Sequence, residues 1–248
     1  GKDTLNGKIA DATGGLPILK TKAGSNDAAD YGDVKDSGYR ADSNKSNLVL
    51  AITGEGSIAD VSHVSDLRNS GSAKGITAVG NTALSTDESR FYGSSIKFDG
   101  SGDYITLTDS SDFEFGTGAY TVECWVRHTS VSGQQTYVSD PGGNTAGIYF
   151  YKDSNHKLGL YYSGQIATGT TALVIDKWYH VALVRNSGTS TLYLNGTKDG
   201  SGSDTTNLTN GNLAFGADPT GGSGEFTGYM SDLRIYKGVA KYTGTFSP

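Results

Sequence analysis

The chain has 248 residues, a net charge of −6 and a pI near 5.1. This length suits one large all-β domain, or one domain with an arm, better than two full domains. Because a negative field repels phosphate backbones, and no stretch approaches the roughly 18 consecutive apolar residues of a membrane span, we expect neither a nucleic acid partner nor a membrane span. The 36 Gly and 15 Tyr residues indicate tight turns between strands.

Residues 1–45 are the first predicted element. They are polar, rich in Gly, Asp and Ser, and show no sustained hydrophobic period. We interpret them as an extended arm or linker that packs on the following domain or on a neighbouring subunit. Residues 46–248 are the predicted folded domain, because short apolar runs separated by turn clusters begin at Leu48.

The domain is predicted to consist of strands, with no convincing helix among them. The candidate strands in chain order are residues 48–52, 76–80, 94–99, 104–108, 120–128, 147–152, 158–163, 178–185, 190–196, 212–217 and 228–237. Their number and spacing indicate an all-β fold.

The hairpin around residues 153–157 carries the candidate ligand-binding residues. If Lys152 pairs with Leu158, alternation divides the side chains between two faces. The predicted core set is Ile148, Phe150, Leu160 and Tyr162, and the predicted outward set is Tyr149, Tyr151 and Tyr161. These tyrosines form either a cross-strand ladder or an apolar platform with hydroxyls at its rim, suited to the C–H face of a sugar ring. Gly159 beside them is expected to leave room for a flat ligand.

Three blocks of sequence resemble a known family. They are SSIKFDGSGDYITLTDSSDFEFGTGAYTVECWVR, KWYHVALVRNSGTSTLYLNGTKDG and FTGYMSDLRIYKGVAKYTGTFSP, in that order. They resemble the laminin-G/pentraxin-like branch of the concanavalin-A-like jelly rolls, which implies a two-sheet antiparallel sandwich over residues 48–248. The segments GLPILKTK and DYGDVKDSGYRADSNKSNLVLAITGEG resemble the lead-in to such domains in structural proteins of marine bacteriophages.

Some jelly rolls of this type cleave polysaccharides, with carboxylates on a closely spaced E-x-D-x-x-E strand. None of the five glutamates here has a second carboxylate two to five residues further along a strand. Glu123 shares its strand face with Trp125 and Arg127, which favours a salt bridge along the strand. The sequence therefore predicts no catalytic residues and a protein that is not an enzyme.

The resemblance also implies a structural Ca²⁺ ion, which takes hard oxygen ligands. In related jelly rolls a calcium on the convex side binds an Asp just before the last core strand, and Asp232 in MSDLRIY matches that position. Asp60 is the expected second ligand. Turn capping is the alternative for both carboxylates.

The fold implied by the resemblance favours non-catalytic binding of a carbohydrate or surface receptor, in an extracellular or virion assembly. A purely structural virion protein, such as a capsid decoration or fibre, is the alternative, and a glycosidase is a weaker one. The expected partners are a glycan or cell-surface receptor and, through the arm, other virion subunits.

Overall fold

The structure, a computed structural model, describes residues 42–54, 56–62, 73–91, 93–140, 147–218 and 224–248. In these ranges the helical content is confined to short 3₁₀ turns, among them Lys45–Asn47 and Ser111–Phe113. No helix in the described part of the chain has the length and apolar character needed to cross a membrane. The predicted all-β fold is therefore confirmed.

Two antiparallel sheets build the fold. The strands are β1 (Leu48–Ile52), β2 (Ile76–Val79), β3 (Ala83–Ser85), β4 (Ser95–Asp99), β5 (Tyr104–Leu107), β6 (Tyr120–His128), β7 (Gln135–Ser139), β8 (Tyr149–Lys152), β9 (Leu158–Tyr161), β10 (Gln165–Thr168), β11 (Trp178–Asn186), β12 (Thr189–Leu194), β13 (Thr197–Ser203), β14 (Ala214–Phe215) and β15 (Thr227–Lys237). Sheet I has the order β13-β12-β11-β6-β15-β4-β3, with β1 also paired to β15. Sheet II has the order β10-β9-β8-β7-β14-β5-β2.

The core lies between the sheets and is built by alternation along each strand. On β6, Val122, Cys124 and Val126 enter the core, whereas Glu123 and Trp125 lie on the other face. The neighbouring strand β11 keeps the same phase. Its core pairs with β6 are Leu183 with Val122, Val181 with Cys124 and Tyr179 with Val126. A jelly-roll sandwich follows from this register.

Strand β15 changes partner at a bulge around Asp232. Its first half pairs with β4 and its second half with β1, while it pairs with β6 along both halves. The register shifts between Ser231 and Arg234, and Asp232 has a φ of 54°. Some types of β-bulge contain a residue in left-handed conformation, and Asp tolerates that conformation better than most residues.

The predicted strands all appear, with ends shifted by a few residues, but four strands were not predicted. These are β3, β7, β10 and β13. Strands β3 and β10 are short, and β13, with the sequence TKDGSGS, has almost no residue of high strand propensity. Of the predicted arm, residues 1–41 lie outside the described residues, so the division at residue 45 stays a prediction.

Candidate functional site

The three candidate tyrosines lie on the outer face of sheet II, in the predicted register. Lys152 pairs with Leu158, Tyr149 with Tyr161, and Tyr151 with Gly159. The predicted inward residues Ile148, Phe150, Leu160 and Tyr162 all belong to the core. The alternation in the sequence was therefore sufficient to place the tyrosines on the face that points away from sheet I.

The tyrosines differ in their exposure. Tyr161 has 36% of its surface accessible, Tyr149 is half-buried, and Tyr151 is buried at 7%. The rings of Tyr149 and Tyr151 lie 5.2 Å apart at an interplanar angle of 44°. Such a tilted pair is a normal aromatic contact.

Hydrogen bonds hold Tyr149 and Tyr151 in place. The Tyr149 hydroxyl oxygen accepts from Gln134 Nε2 at 2.8 Å and from Thr136 Oγ1 at 3.0 Å. The Tyr151 hydroxyl donates to Gln165 Oε1 at 2.8 Å, and burial raises the pKa of this hydroxyl, so it stays protonated as a donor. Gln165 in turn donates from Nε2 to the backbone oxygens of Leu160 and Ala167, at the bulge between β9 and β10.

The expectation that Gly159 leaves room for a flat ligand is wrong. A Cβ atom built on Gly159 would lie 2.5 Å from Tyr151 Cζ and 2.8 Å from its Cε2. The ring of Tyr151 therefore lies directly on the Gly159 backbone and fills the space that the missing side chain leaves. This explains why Tyr151 is buried, and it shifts the accessible part of the candidate site to Tyr161 and Tyr149.

The tyrosines belong to two rows of outward side chains that cross sheet II. The first row is Thr77, Thr106, Ala214, Ser139, Tyr149, Tyr161 and Gln165, each in register with the next. The second row contains Thr136, Tyr151, Gly159 and Thr168. Together the rows place the tyrosines beside small hydroxyl and amide side chains, of which Thr136 and Ser139 have no accessible surface.

The C-terminal residues 238–248 lie against the β6, β11 and β12 part of the outer face of sheet I. Lys241 Nζ and the Tyr242 hydroxyl both lie 2.6 Å from the carboxylate of Glu123, which is 4% exposed. Tyr242 stacks on Phe246 with the rings 3.4 Å apart. Burial by itself would raise the pKa of Glu123, but the Lys241 ammonium and the His180 ring outweigh it and hold this pKa well below its usual range.

The expected salt bridge between Glu123 and its strand neighbour Arg127 is not formed. Arg127 instead contacts Asp176 Oδ1 at 2.7 Å and Glu88 Oε1 at 3.0 Å. Glu123 takes its partners from the C-terminal residues because they lie across that part of the sheet. Trp125 shares the face with Glu123, as the alternation indicates.

Asp232, the first expected calcium ligand, has a protein partner. Its Oδ1 atom accepts from Arg234 Nε at 2.8 Å, and its backbone N–H donates to Thr53 O at 3.3 Å. The bulge geometry and the Arg234 contact account for an Asp at this position without a metal. Calcium binding at Asp232 stays a prediction.

Asp60, the second expected ligand, is 2% exposed and caps backbone amides. Its Oδ1 accepts from Ala51 N at 3.2 Å and Ser62 N at 2.9 Å, and its Oδ2 accepts from Lys74 N at 3.0 Å. Turn capping, the alternative stated above, describes these contacts. Within the described ranges, no group of three or more His, Cys, Asp or Glu side chains is arranged to hold a metal ion.

Three residues of the tyrosine face were not predicted from the sequence. Gln134 directly precedes β7, Thr136 is the second residue of β7, and Gln165 begins β10. Both strands were missing from the predicted set, so their side chains could not be assigned to a face. The Gly-Gln-Gln-Thr and Gly-Gln-Ile runs, each a turn residue followed by alternating side chains, are the weak signals that were available.

Comparison with solved structures finds the same fold in carbohydrate-binding contexts. Domain 4 of AbnA, a GH43 extracellular arabinanase from Geobacillus stearothermophilus, solved in complex with arabinotriose, matches with a TM-score of 0.61 at 20% identity, over 77% of this chain and 93% of that one. The binding domain of botulinum neurotoxin serotype D/C matches with a TM-score of 0.60 at 16% identity, over 80% of this chain and 51% of that one.

A third match comes from a study of botulinum neurotoxin type C, whose cell entry depends on interaction with two ganglioside molecules. Its TM-score is 0.58 at 14% identity, over 80% of this chain and 50% of that one. The chain thus spans about half the length of the neurotoxin chains and almost all of the arabinanase domain. At these identities the likeness shows the fold alone.

Among curated protein sequences no match is found. A family model does match: its description is the concanavalin A-like lectin/glucanases superfamily, of laminin G type, and it covers residues 99–241. That range is more than half of the 248 residues and runs from β4 through β15, across both sheets. The chain belongs to the laminin G type of the concanavalin A-like lectin/glucanase superfamily.

Proposed function

We propose that this protein is a non-catalytic, lectin-like module that binds carbohydrate on the outer face of sheet II. The observation that carries the proposal is Tyr161, an aromatic residue with 36% of its surface accessible, which lies between Tyr149 and Gln165 in the first outward row of sheet II. An aromatic ring of this kind offers an apolar face to the C–H groups of a sugar and a hydroxyl at its edge.

The outer face of sheet I is less suited to a ligand. Residues 238–248 lie across its β6, β11 and β12 part, and they are fixed there by Lys241, Tyr242 and the backbone hydrogen bond from Phe246 N to Gly196 O at 3.0 Å. A sugar on that part of the face would have to displace those contacts, whereas Tyr161 is accessible as it stands.

The neighbours in fold support a glycan as the ligand. One is a domain solved with arabinotriose, and another comes from a toxin whose cell entry depends on gangliosides. Each statement describes that protein. For this chain, they favour the carbohydrate interpretation over a tyrosine ladder that has a purely structural role.

The non-catalytic part of the proposal is supported by Glu123. It is the glutamate on the central strand β6, where a catalytic carboxylate would be sought, and it is buried beneath Lys241 and Tyr242. A general acid or nucleophile has to reach the glycosidic bond, so a carboxylate in this position does not suit hydrolysis.

We place this function outside the cell, in a virion or another extracellular assembly. The extracellular arabinanase and the toxin binding domains that share the fold support an extracellular setting. The virion assignment depends on the resemblance of the N-terminal sequence, most of which lies outside the described residues.

A glycan array with the unmodified chain and two alanine variants tests the proposal. Tyr161→Ala removes the exposed ring, and Val174→Ala, in the loop before β11, is the matched control because Val174 is an exposed apolar side chain away from the tyrosine face, at 56%. We expect Tyr161→Ala to lower glycan affinity at least about tenfold, equivalent to about 1.4 kcal/mol, at an almost unchanged melting temperature. Val174→Ala should bind like the unmodified chain.

The structural ladder gives the opposite pattern. In that case Tyr161→Ala lowers the melting temperature, since cross-strand pairs contribute about 0.2–1 kcal/mol each, and glycan binding is retained. Such a result, or the absence of binding to any glycan, would contradict the proposed function.

A further inference from the structure

We propose that the tyrosine face, defined as Tyr149, Tyr151 and Tyr161 with their neighbours Gln134, Thr136 and Gln165, is specific for neutral glycans and discriminates against acidic ones. This inference rests on the proposed function and names the class of ligand. It follows from the distribution of charge between the two sheets.

Sheet II is almost free of charged residues. Its seven strands contain a single Lys, Arg, Asp or Glu residue, Lys152 at the end of β8. Lys152 does not face the ligand side. Its Nζ atom turns inward and donates to the backbone oxygens of Val131 and Gly133, each at 2.6 Å, and its side chain has no accessible surface.

Sheet I contrasts with this pattern. Its outer side carries Glu123, Arg127 and Arg234 among other charged residues. The strands of the two sheets therefore differ in charge. Charged side chains are concentrated on the outer side of sheet I, and the strands of sheet II, which expose Tyr161, carry almost none.

The hydrogen-bonding groups of the tyrosine face suit hydroxyl groups. The Tyr149 oxygen lies 2.8 Å from Gln134 Nε2 and 3.0 Å from Thr136 Oγ1, and a phenol hydroxyl can donate as well as accept. Gln134 uses Nε2 for that bond, so its Oε1 is an acceptor that receives no bond from the described residues. Tyr161 adds an exposed hydroxyl. A sugar hydroxyl both donates and accepts, and it finds both kinds of partner here.

An acidic sugar would lose hydration without gaining a counter-charge from the strands of sheet II. Transfer of a carboxylate or sulfate from water to a surface with no nearby cation is unfavourable, and the chain's net charge of −6 adds a weak repulsion. A neutral sugar has no such desolvation cost.

Tyr151 and Gln165 act as positioning residues, since their hydrogen bonds to each other and to the backbone fix the surface on which the sugar would lie.

The test compares neutral oligosaccharides with the same chains carrying a terminal sialic acid or sulfate, at about 50 mM and about 500 mM NaCl. We expect the neutral glycans to bind with an affinity that changes less than about twofold with salt, and the acidic group to weaken binding at least about tenfold. A gain-of-function variant, Thr168→Lys, places a cation on β10 in register with Gly159. It should acquire salt-dependent binding of the acidic glycans.

The outcomes separate this inference from the proposed function. Preference of the unmodified chain for acidic glycans, lost in Tyr161→Ala, would overturn the neutral specificity and leave the binding face in place. Neutral binding that Tyr161→Ala does not affect would move the site elsewhere and overturn both. Neutral binding that is independent of salt and lost in Tyr161→Ala would support both.

Discussion

His128 lies inside the sandwich, with no accessible surface, and its ring bridges two neighbours. Nδ1 is 2.8 Å from Gln135 Oε1, and Nε2 is 3.0 Å from the Tyr137 hydroxyl. A neutral ring satisfies both contacts, with Nδ1–H as donor and Nε2 as acceptor. Burial lowers the pKa of His128 to about 4, so the residue is neutral at physiological pH.

This burial predicts acid sensitivity in a defined range. The unfolded chain protonates His128 near pH 6.5 and the folded chain near pH 4, so stability is fully present above pH 6.5 and falls as the pH approaches 4. From pH 7 to pH 5 the loss should be about 2 kcal/mol. Urea unfolding at both pH values measures it.

His128→Gln is the control, since Gln provides a donor and an acceptor and does not titrate. It should lose less stability than the unmodified chain over the same pH step. An NMR titration of the His128 ring should show no protonation above about pH 5. The predicted acid sensitivity would be refuted if the unmodified chain and His128→Gln lost equal stability between pH 7 and pH 5 and the His128 ring titrated near pH 6.5.

At the scale of elements, the C-terminal residues are held to sheet I by a buried charge. Glu123→Gln removes the carboxylate that lies 2.6 Å from Lys241 Nζ and leaves Asp42 Oδ2 at 3.6 Å, and breaking a buried ion pair costs about 3 kcal/mol. Glu88→Gln is the matched control because the ion pair of Glu88 with Arg127 is more exposed, with 35% of the Glu88 side chain accessible. It should cost less than about 1 kcal/mol. Equal losses in chemical denaturation would show that the Glu123 contact does not anchor the C-terminal residues.

The edge strands of the two sheets meet through glycines. A Cβ on Gly202 of β13 would lie 1.8 Å from Ile166 O of β10, and one on Gly200 would lie 2.3 Å from Thr168 O. Because the neighbouring atoms are backbone, they cannot move aside as a side chain would. These glycines let β13 shield the edge of sheet II, which is otherwise open to pairing with other chains.

Gly202→Ala should therefore destabilise the fold by about 1–3 kcal/mol, as overpacking does. Gly164→Ala is the control, since Gly164 has open space around its Cβ position and no positive φ. It should be neutral or slightly stabilising. Thermal unfolding compares the two, and an equal melting temperature would mean that the close approach of β10 and β13 is not maintained in solution.

The sequence predicted elements well where side chains alternate and poorly where backbone geometry decides. The register from Tyr149 to Tyr161 followed from alternation alone. Strand β13 could not be predicted from alternation. Its glycines are there because the backbone of β10 lies close to them, and this contact exists only in the tertiary structure. For the same reason the residue types could not show that the Tyr151 ring fills the space above Gly159. A glycine has the same letter in the sequence whether the space beside its Cα atom is open or filled by another side chain.

At the scale of the whole molecule, calcium binding is tested by the melting temperature. If Asp232 binds Ca²⁺ in the folded state only, a hundredfold excess over Kd stabilises the fold by about 2.7 kcal/mol. The melting temperature should then rise with calcium, fall with chelator, and lose this response in Asp232→Asn. A melting curve that calcium does not change would leave the Arg234 contact and the bulge as the role of Asp232.

The central claim is that carbohydrate binds on the outer face of sheet II, and a crystal structure with a bound oligosaccharide tests it most directly. Crystals should be soaked with the best neutral ligand from the glycan array. We predict a sugar ring stacked on Tyr161, with a hydroxyl group within hydrogen-bond distance of the Tyr149 hydroxyl or Gln134 Oε1. A sugar bound on sheet I, or at loops away from Tyr161, would contradict the account.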